Sequence, residues 1–275
     1  KKNPEPQPEP AARPESPWVD DRTEQPVVFL QPKRDPDRVR SPDGKYTAVV
    51  KGFNVFLRDA AGNDAPLTTD GKEGNAYGRL AWSPDSKALV AFRVEPGDRK
   101  EVHILDSSPP NGGRAVLASR PYPLPGDKFA TFELHVFDIE GKKDLPVADR
   151  TINLATDYEQ PRLRWNKDGH TFTFPRTERG HQRWRLVEVD AHTGKSRNLI
   201  DEKTNTFIWT AHTENLGVPK VSWLQKTDEV VFVSEKSGWR HLYLLDAKTG
   251  AEKNAITKGE YVVRGVDRID EDARQ

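Results

Sequence analysis

The chain has 275 residues, 34% of them hydrophobic, which is enough for one large or two ordinary domains with a core. The charges of its 43 basic and 43 acidic side chains cancel. The chain therefore has no strongly positive net charge that would attract nucleic acid or an anionic membrane. The absence of cysteine excludes disulfides and thiolate metal sites.

Residues 1–26 alternate proline with glutamate, glutamine and other polar residues. Such a segment cannot bury enough surface to offset its ordering entropy, so the composition predicts an extended linker. A tether to a membrane or cell-wall anchor is the alternative, but no lipidation cysteine marks one. No apolar run approaches the roughly 20 residues of a membrane helix, so direct membrane insertion is not expected.

Residues 27–275 contain short runs with a period of two, rich in β-branched and aromatic residues and bounded by turn residues. One hairpin pattern recurs along them, and Trp82, Trp165 and Trp223 each close a first strand. A turn, a second strand and a third strand ending in Asp follow. The third strands are read as "HILDSS", "VEVDAHTGK" and "YLLDAKTGA", and the fourth as runs such as "SRNLI" and "KNAIT". These tryptophans, with Trp184 and Trp239, are predicted to pack between neighbouring sheets rather than to bind a ligand.

The spacing of the repeat indicates a β-propeller. Ser41 and Ser83 are 42 residues apart, which is close to the length of one propeller blade. Asn166 lies 83 residues after Ser83, about twice that length. That second interval predicts a hidden or a stretched blade. We therefore predict an all-β fold, a partial β-propeller of about four to five blades, each a four-stranded antiparallel meander. A β-sandwich would give no reason for Trp, turn and Asp to recur in this order.

The end of the chain predicts an incomplete ring. The strand-like "RGVDRID" is followed by "EDARQ", so the chain is expected to stop inside a hairpin. A partial ring exposes blade faces that a closed ring buries. The open side is expected to meet a partner, either the rest of the polypeptide or a second copy in a homodimer.

Four segments resemble the propeller of the dipeptidyl peptidase IV branch of the prolyl oligopeptidase family of serine peptidases. They are "SEKSGWRHLYLLDAKTG", "RGHQRWRLVEVDAHTGKSRNLIDE", "TNTFIW" and "YPLPGDK". The resemblance covers most of residues 41–275 and is most specific over 221–268. It implies a larger, often eight-bladed propeller stacked on an α/β-hydrolase domain with Ser, Asp and His, in a periplasmic or secreted protein. Such a propeller limits entry to peptide substrates and, in dipeptidyl peptidases, anchors the free amino end.

The catalytic motif of a serine hydrolase is missing from this sequence. No Gly-x-Ser-x-Gly elbow is present, and "GKSRN" at 194–198 lacks the last glycine, so no catalytic triad is assigned and the hydrolase domain is expected C-terminal to this chain. The paired glutamates that bind the substrate amine in the family are also missing. Glu73 alone lies near the expected position, which puts dipeptidyl specificity in doubt.

Four residues are candidates for substrate binding, and they stand beside aromatic residues in two blades: Arg183, Arg185, Arg240 and His241. A funnel-lining arginine could bind a peptide carboxylate, whereas an arginine stacked on tryptophan would only support the scaffold. The histidines His170, His181, His192, His212 and His241 lack the short spacing of zinc motifs, so no metal site and no cofactor are predicted.

Two functions remain open. The first is the non-catalytic, substrate-gating propeller portion of a serine exopeptidase, which the resemblance favours. The alternative is a stand-alone envelope propeller that binds a protein or polymer partner, which the missing catalytic motif favours. An elbow serine followed by Asp and His in the parent gene beyond Gln275 would separate them.

Overall fold

A computed structural model describes residues 27–28, 38–155, 160–166, 169–210 and 219–275. The predicted linker, residues 1–26, and His212 lie outside these ranges. Within them the chain forms strands and no helix, which confirms the all-β prediction. No helix in the described part of the chain could therefore span a membrane.

The strands of the described residues, numbered in chain order, form four antiparallel sheets and one separate hairpin. Sheet 1 has the spatial order β2 (Arg38–Arg40), β3 (Thr47–Lys51), β4 (Asn54–Arg58) and β5 (Asp64–Pro66). Sheet 2 has the order β6 (Ala76–Trp82), β7 (Ala88–Glu95), β10 (Thr131–Asp138) and β11 (Lys143–Leu145), with β12 (Thr151–Asn153) also beside β10. The separate hairpin, called the arm below, pairs β8 (Glu101–Asp106) with β9 (Val116–Pro121).

The other two sheets follow the same plan. Sheet 3 has the order β1 (Val27–Val28), β13 (Leu163–Trp165), β14 (Thr171–Thr177), β15 (Arg183–Asp190) and β16 (Ser196–Lys203). Sheet 4 has the order β17 (Val221–Trp223), β18 (Glu229–Ser234), β19 (His241–Asp246) and β20 (Glu252–Ala255). Each sheet is thus built around a four-stranded meander, as the repeat predicts.

Local hydrogen bonds explain why the first turn recurs with Ser and Asp. In sheet 1 the Ser41 hydroxyl donates to Asp43 Oδ1 at 2.7 Å, and in sheet 2 Ser83 donates to Asp85 Oδ1 at 2.6 Å. The same carboxylates accept from backbone N–H groups two residues further on. The turn is therefore closed by its own side chains, and the sequence motif encodes it directly.

Two glycines in the third turn allow neighbouring sheets to approach. Gly194 and Gly250 both have φ near +75°, which favours glycine. A Cβ on Gly194 would collide with the carbonyl of Pro146, directly after β11, and one on Gly250 would collide with the Leu199 carbonyl of sheet 3. The Thr-Gly turns therefore serve both chain reversal and packing between sheets.

The cores lie between the faces of consecutive sheets, as in a propeller. One cluster joins sheets 1 and 2, a second joins sheets 2 and 3, and a third joins sheets 3 and 4. Trp165 lies in the second cluster, and Trp82 donates its indole N–H to the Val39 carbonyl of sheet 1 at 2.8 Å. The predicted packing role of these two tryptophans is confirmed.

The interval between Ser83 and Asn166 holds one stretched blade. The arm is inserted between β7 and β10, which pair with each other along eight residues. The prediction that "HILDSS" forms the third strand was wrong, because it belongs to β8, which pairs with β9 and is mostly exposed. The third strand is β10, whose sequence "TFELHVFD" is mostly buried.

The segment after β20 covers the outer face of sheet 4. Val263 and Val266 pack against a cluster that contains Val231 and Leu242. The prediction of a strand at "RGVDRID" was wrong, because residues 264–270 pair with no strand in the described part of the chain.

Candidate functional site

The candidate residues lie where the second strand turns into the third in sheets 3 and 4. The ladder pairs Thr177 with Trp184 in sheet 3 and Ser234 with His241 in sheet 4. Trp184 and His241 therefore occupy matching positions, one residue after Arg183 and Arg240. The structure brings the candidates together as two pairs, one in each sheet.

Arg185 is buried in an ion-pair network between sheets 2 and 3. Its guanidinium donates to Asp149 at 2.8 Å and to Glu178 at 2.6 Å. Arg176 also donates to Asp149, at 3.0 Å. Burial alone would raise the pKa of Asp149, but the hydrogen bond from Arg185 and the charge of Arg176 outweigh it and hold this pKa below its usual value. The network links the loop after β11 to β14 and β15.

Arg183 is held within sheet 3. It forms two parallel hydrogen bonds to Asp201 on β16, at 2.8 and 2.7 Å. These bonds raise the pKa of Arg183 and lower that of Asp201. Arg183 Nε and Nη2 and both terminal nitrogens of Arg185 thus bond to carboxylates of the chain itself, an arrangement that supports the scaffold, whereas the buried Arg185 Nε has no partner among the described residues. Substrate binding by these two arginines stays a prediction.

Arg240 is almost completely buried, and its charge is only partly satisfied. Its Nε–H donates to the Val263 carbonyl at 2.5 Å. Nη1 and Nη2 have no hydrogen-bond partner among the described residues. Burial lowers the pKa of Arg240. A guanidinium in this state is suited to a carboxylate, because charge-assisted bonds could satisfy both nitrogens.

His241 shapes a cleft rather than offering a free nitrogen to it. Its Nδ1 lies 3.0 Å from the Thr257 hydroxyl and its Nε2 lies 2.9 Å from the Gly259 carbonyl. The Tyr261 ring meets the imidazole edge to face at 5.1 Å. His241 therefore fixes the segment after β20 against sheet 4, and contact with a substrate stays a prediction.

The cleft beside His241 has a volume of about 680 Å³ and is lined by residues that include Lys236, Trp239, Tyr243, Lys258 and Glu260. The Trp239 side chain is 41% exposed, so the prediction that it packs between sheets was wrong. It stands in the turn before β19, where no neighbouring sheet in the described part of the chain covers it. The cleft thus offers an exposed indole beside charges of both signs, which is chemistry suited to a peptide.

A family model described as the dipeptidyl peptidase IV (DPP IV) N-terminal region matches residues 14–275, across all four sheets. The chain belongs to this family. The match accounts for the propeller architecture and for the resemblance carried by the segments of sheets 3 and 4.

Individual relatives of the DPP IV N-terminal region agree with this assignment. A probable dipeptidyl peptidase 4 of Aspergillus clavatus is 25% identical over 257 residues, which cover 84% of this chain and 32% of the relative. Dipeptidyl peptidase 4 of Trichophyton rubrum is 26% identical over 152 residues, covering 54% of this chain and 19% of the relative. The chain therefore spans at most about a third of these curated relatives.

The fold of the DPP IV N-terminal region also appears among solved structures. The crystal structure of Porphyromonas gingivalis dipeptidyl peptidase 4 aligns with a TM-score of 0.52 at 18% identity, covering 81% of this chain and 32% of that chain. This similarity supports the propeller fold.

Proposed function

We propose that the chain is the substrate-gating propeller portion of a serine exopeptidase, and that an α/β-hydrolase domain C-terminal to it cleaves the peptide. The family match over residues 14–275 carries this proposal. The sequence has no nucleophile elbow, which fits a division in which the propeller selects the substrate and another domain performs the chemistry.

The cleft of sheet 4 is the place where we propose that the peptide meets the propeller. Trp239 presents an indole face to a peptide side chain, and Lys258 and Glu260 line the cleft with charges of both signs, while Lys236 is already paired with Glu252. His241 lines this cleft, whereas the neighbouring Arg240 is buried and bonds to the Val263 carbonyl. Arg183 and Arg185 would contact a peptide only by exchanging their present carboxylate partners.

Replacing Trp239 with alanine tests the gating role in the complete polypeptide. We expect KM for a peptide substrate to rise about tenfold, because an exposed aromatic anchor contributes more than 1 kcal/mol to binding. The kcat for the peptide and the hydrolysis of a small ester should not change, since neither depends on the propeller. Steady-state kinetics on both substrates measure this.

Phe53→Ala is the matched control, because Phe53 is 44% exposed but lies in the turn between β3 and β4. It should leave KM for the peptide unchanged. An equal KM in wild type and Trp239→Ala would show that the cleft does not bind the peptide substrate.

A stand-alone propeller that binds an envelope protein or polymer is the second candidate. The missing elbow and the lack of adjacent glutamates favour it. In both cases we propose a periplasmic or secreted location, which cell fractionation would measure.

A second copy of the chain is the partner that we propose for the arm. Leu105 and Leu117 face each other across the arm and are 63% and 68% exposed. In the described part of the chain, β8 and β9 pair only with each other, so each leaves an open edge. An identical arm can meet such an edge symmetrically.

Leu117→Asp should therefore turn a dimer into a monomer, because it places a charge in the contact. Light scattering at increasing protein concentration measures the mass. Ile256→Asp, at a position 46% exposed near sheet 4, should leave the mass unchanged. A wild type that stays monomeric at high concentration would exclude this partner.

A further inference from the structure

Three side chains with metal-binding groups meet between sheets 2 and 3, outside the cleft and the arm. Asp85 lies in the turn between β6 and β7, His170 between β13 and β14, and His192 between β15 and β16. Asp85 and His170 are in the first turn of their meanders and His192 is in the third. The first and third turns of a meander lie at the same end of the sheet, so packing of sheet 2 on sheet 3 brings the three residues together. A Cβ on Gly169 would lie only 3.0 Å from the Asp85 backbone nitrogen, which shows how closely the turns approach.

The distances between the donor atoms are short. His170 Nδ1 lies 3.2 Å from His192 Nδ1, and His192 Nε2 lies 3.1 Å from Asp85 Oδ2. One ligand atom from each residue lies within 4.8 Å of those of the other two. The two imidazole rings meet edge to face, with centroids 4.6 Å apart.

The carboxylate of Asp85 is already oriented toward the histidines. Its Oδ1 accepts hydrogen bonds from the Ser83 hydroxyl at 2.6 Å and the Lys87 N–H at 3.0 Å. Its Oδ2 is left pointing at His192. Such fixed outer hydrogen bonds are what orients ligands in metal sites.

We propose that Asp85, His170 and His192 bind one divalent transition-metal ion, of which Zn²⁺ is the best match. Zinc takes two imidazole nitrogens and one carboxylate oxygen at about 2.0–2.2 Å, with water in the fourth position, which places its ligand atoms roughly 3.4 Å apart. The contacts at 3.2 and 3.1 Å involve the two different nitrogens of His192, of which only one can bind the ion. With one ligand atom from each residue the separations are up to 4.8 Å, so these turn side chains must move by up to about 1.4 Å to reach this geometry. The ion would join sheet 2 to sheet 3.

The short-range spacing of zinc motifs cannot reveal this site. His170 and His192 are 22 residues apart, and Asp85 comes 107 residues before His192. The propeller repeat alone brings them together, because each residue occupies a turn of one meander. The proposal does not depend on the peptidase function.

Titration calorimetry of the 275-residue chain with Zn²⁺ alone tests the proposal. We expect one ion per chain and a melting temperature raised by roughly 5 °C or more at a hundredfold excess over Kd. With Co²⁺ the wild type should show the visible absorption spectrum of a tetrahedral site. This test does not depend on whether any variant folds.

Three variants locate the ion. His170→Ala, His192→Ala and Asp85→Asn should each weaken Zn²⁺ binding at least tenfold, and far-UV circular dichroism reports whether each still folds. His103→Ala, at an exposed position on the arm, should bind as the wild type does. A wild type that binds no Zn²⁺, or folded variants that bind it equally well, would overturn the proposal.

Discussion

Replacing Trp165 with alanine is expected to lower the free energy of unfolding by about 3–5 kcal/mol. The side chain is 1% exposed and packs against Phe172, with ring centroids 4.9 Å apart. The same cluster contains Phe92 and Leu134 of sheet 2, so the indole fills the space between two blades. Its loss leaves a cavity between the two blades, and chemical denaturation of the chain measures the effect.

Trp239→Ala is the matched control for this prediction. The two residues are the same type, but Trp239 is 41% exposed and lies in a turn. Its replacement should change the free energy of unfolding by less than about 0.5 kcal/mol. Equal losses in both variants would contradict the packing role of Trp165 between the blades.

Replacing Arg185 with methionine should have the second largest effect, a loss of about 2–3 kcal/mol. Methionine keeps much of the buried stem but removes the charge that Asp149 and Glu178 share. Asp149 would then keep Arg176 as its remaining partner in the network. The loss should appear as a lower denaturation midpoint at neutral pH with an unchanged slope.

Arg183→Met on the same strand is the control. Its ion pair with Asp201 and its longer contact with Glu178, at 3.6 Å, join partly exposed side chains, so the change should cost about 0–1 kcal/mol. A loss as large as that of Arg185→Met would show that the network between sheets 2 and 3 has no special role. The comparison separates a link between blades whose arginine is buried from a pair within one blade whose arginine is partly exposed.

The sequence predicts most of the propeller because its turns are encoded locally. The Ser-Pro-Asp turn closes through Ser83 and Asp85 within a few residues, and the Asp190 carboxylate accepts the backbone N–H groups of His192 and Thr193 in the next turn type. Such contacts need no distant partner, so the motif alone indicates them. The pairing of β7 with β10 spans an insertion, which is why "HILDSS" in β8 was mistaken for the third strand.

The site is less predictable because its contacts come from distant residues. Asp149 lies 27 residues from Arg176 and 36 from Arg185, in a polar loop that has no periodic pattern. The exposure of Trp239 depends on which sheet stands beside its turn, and the alternation of apolar residues carries no information on that. Sequence therefore names Arg185 and Arg240 as candidates, while only the fold shows which charges are already paired.

Labelling of the complete polypeptide with a fluorophosphonate tests most directly whether this propeller belongs to a serine peptidase. The probe reacts only with a serine that has a base and an oxyanion hole. Peptide mapping should find one labelled serine C-terminal to Gln275 and none within residues 1–275, and the 275-residue chain alone should remain unlabelled. A labelled serine within residues 1–275, or no labelled serine in the complete polypeptide, would contradict the proposed function.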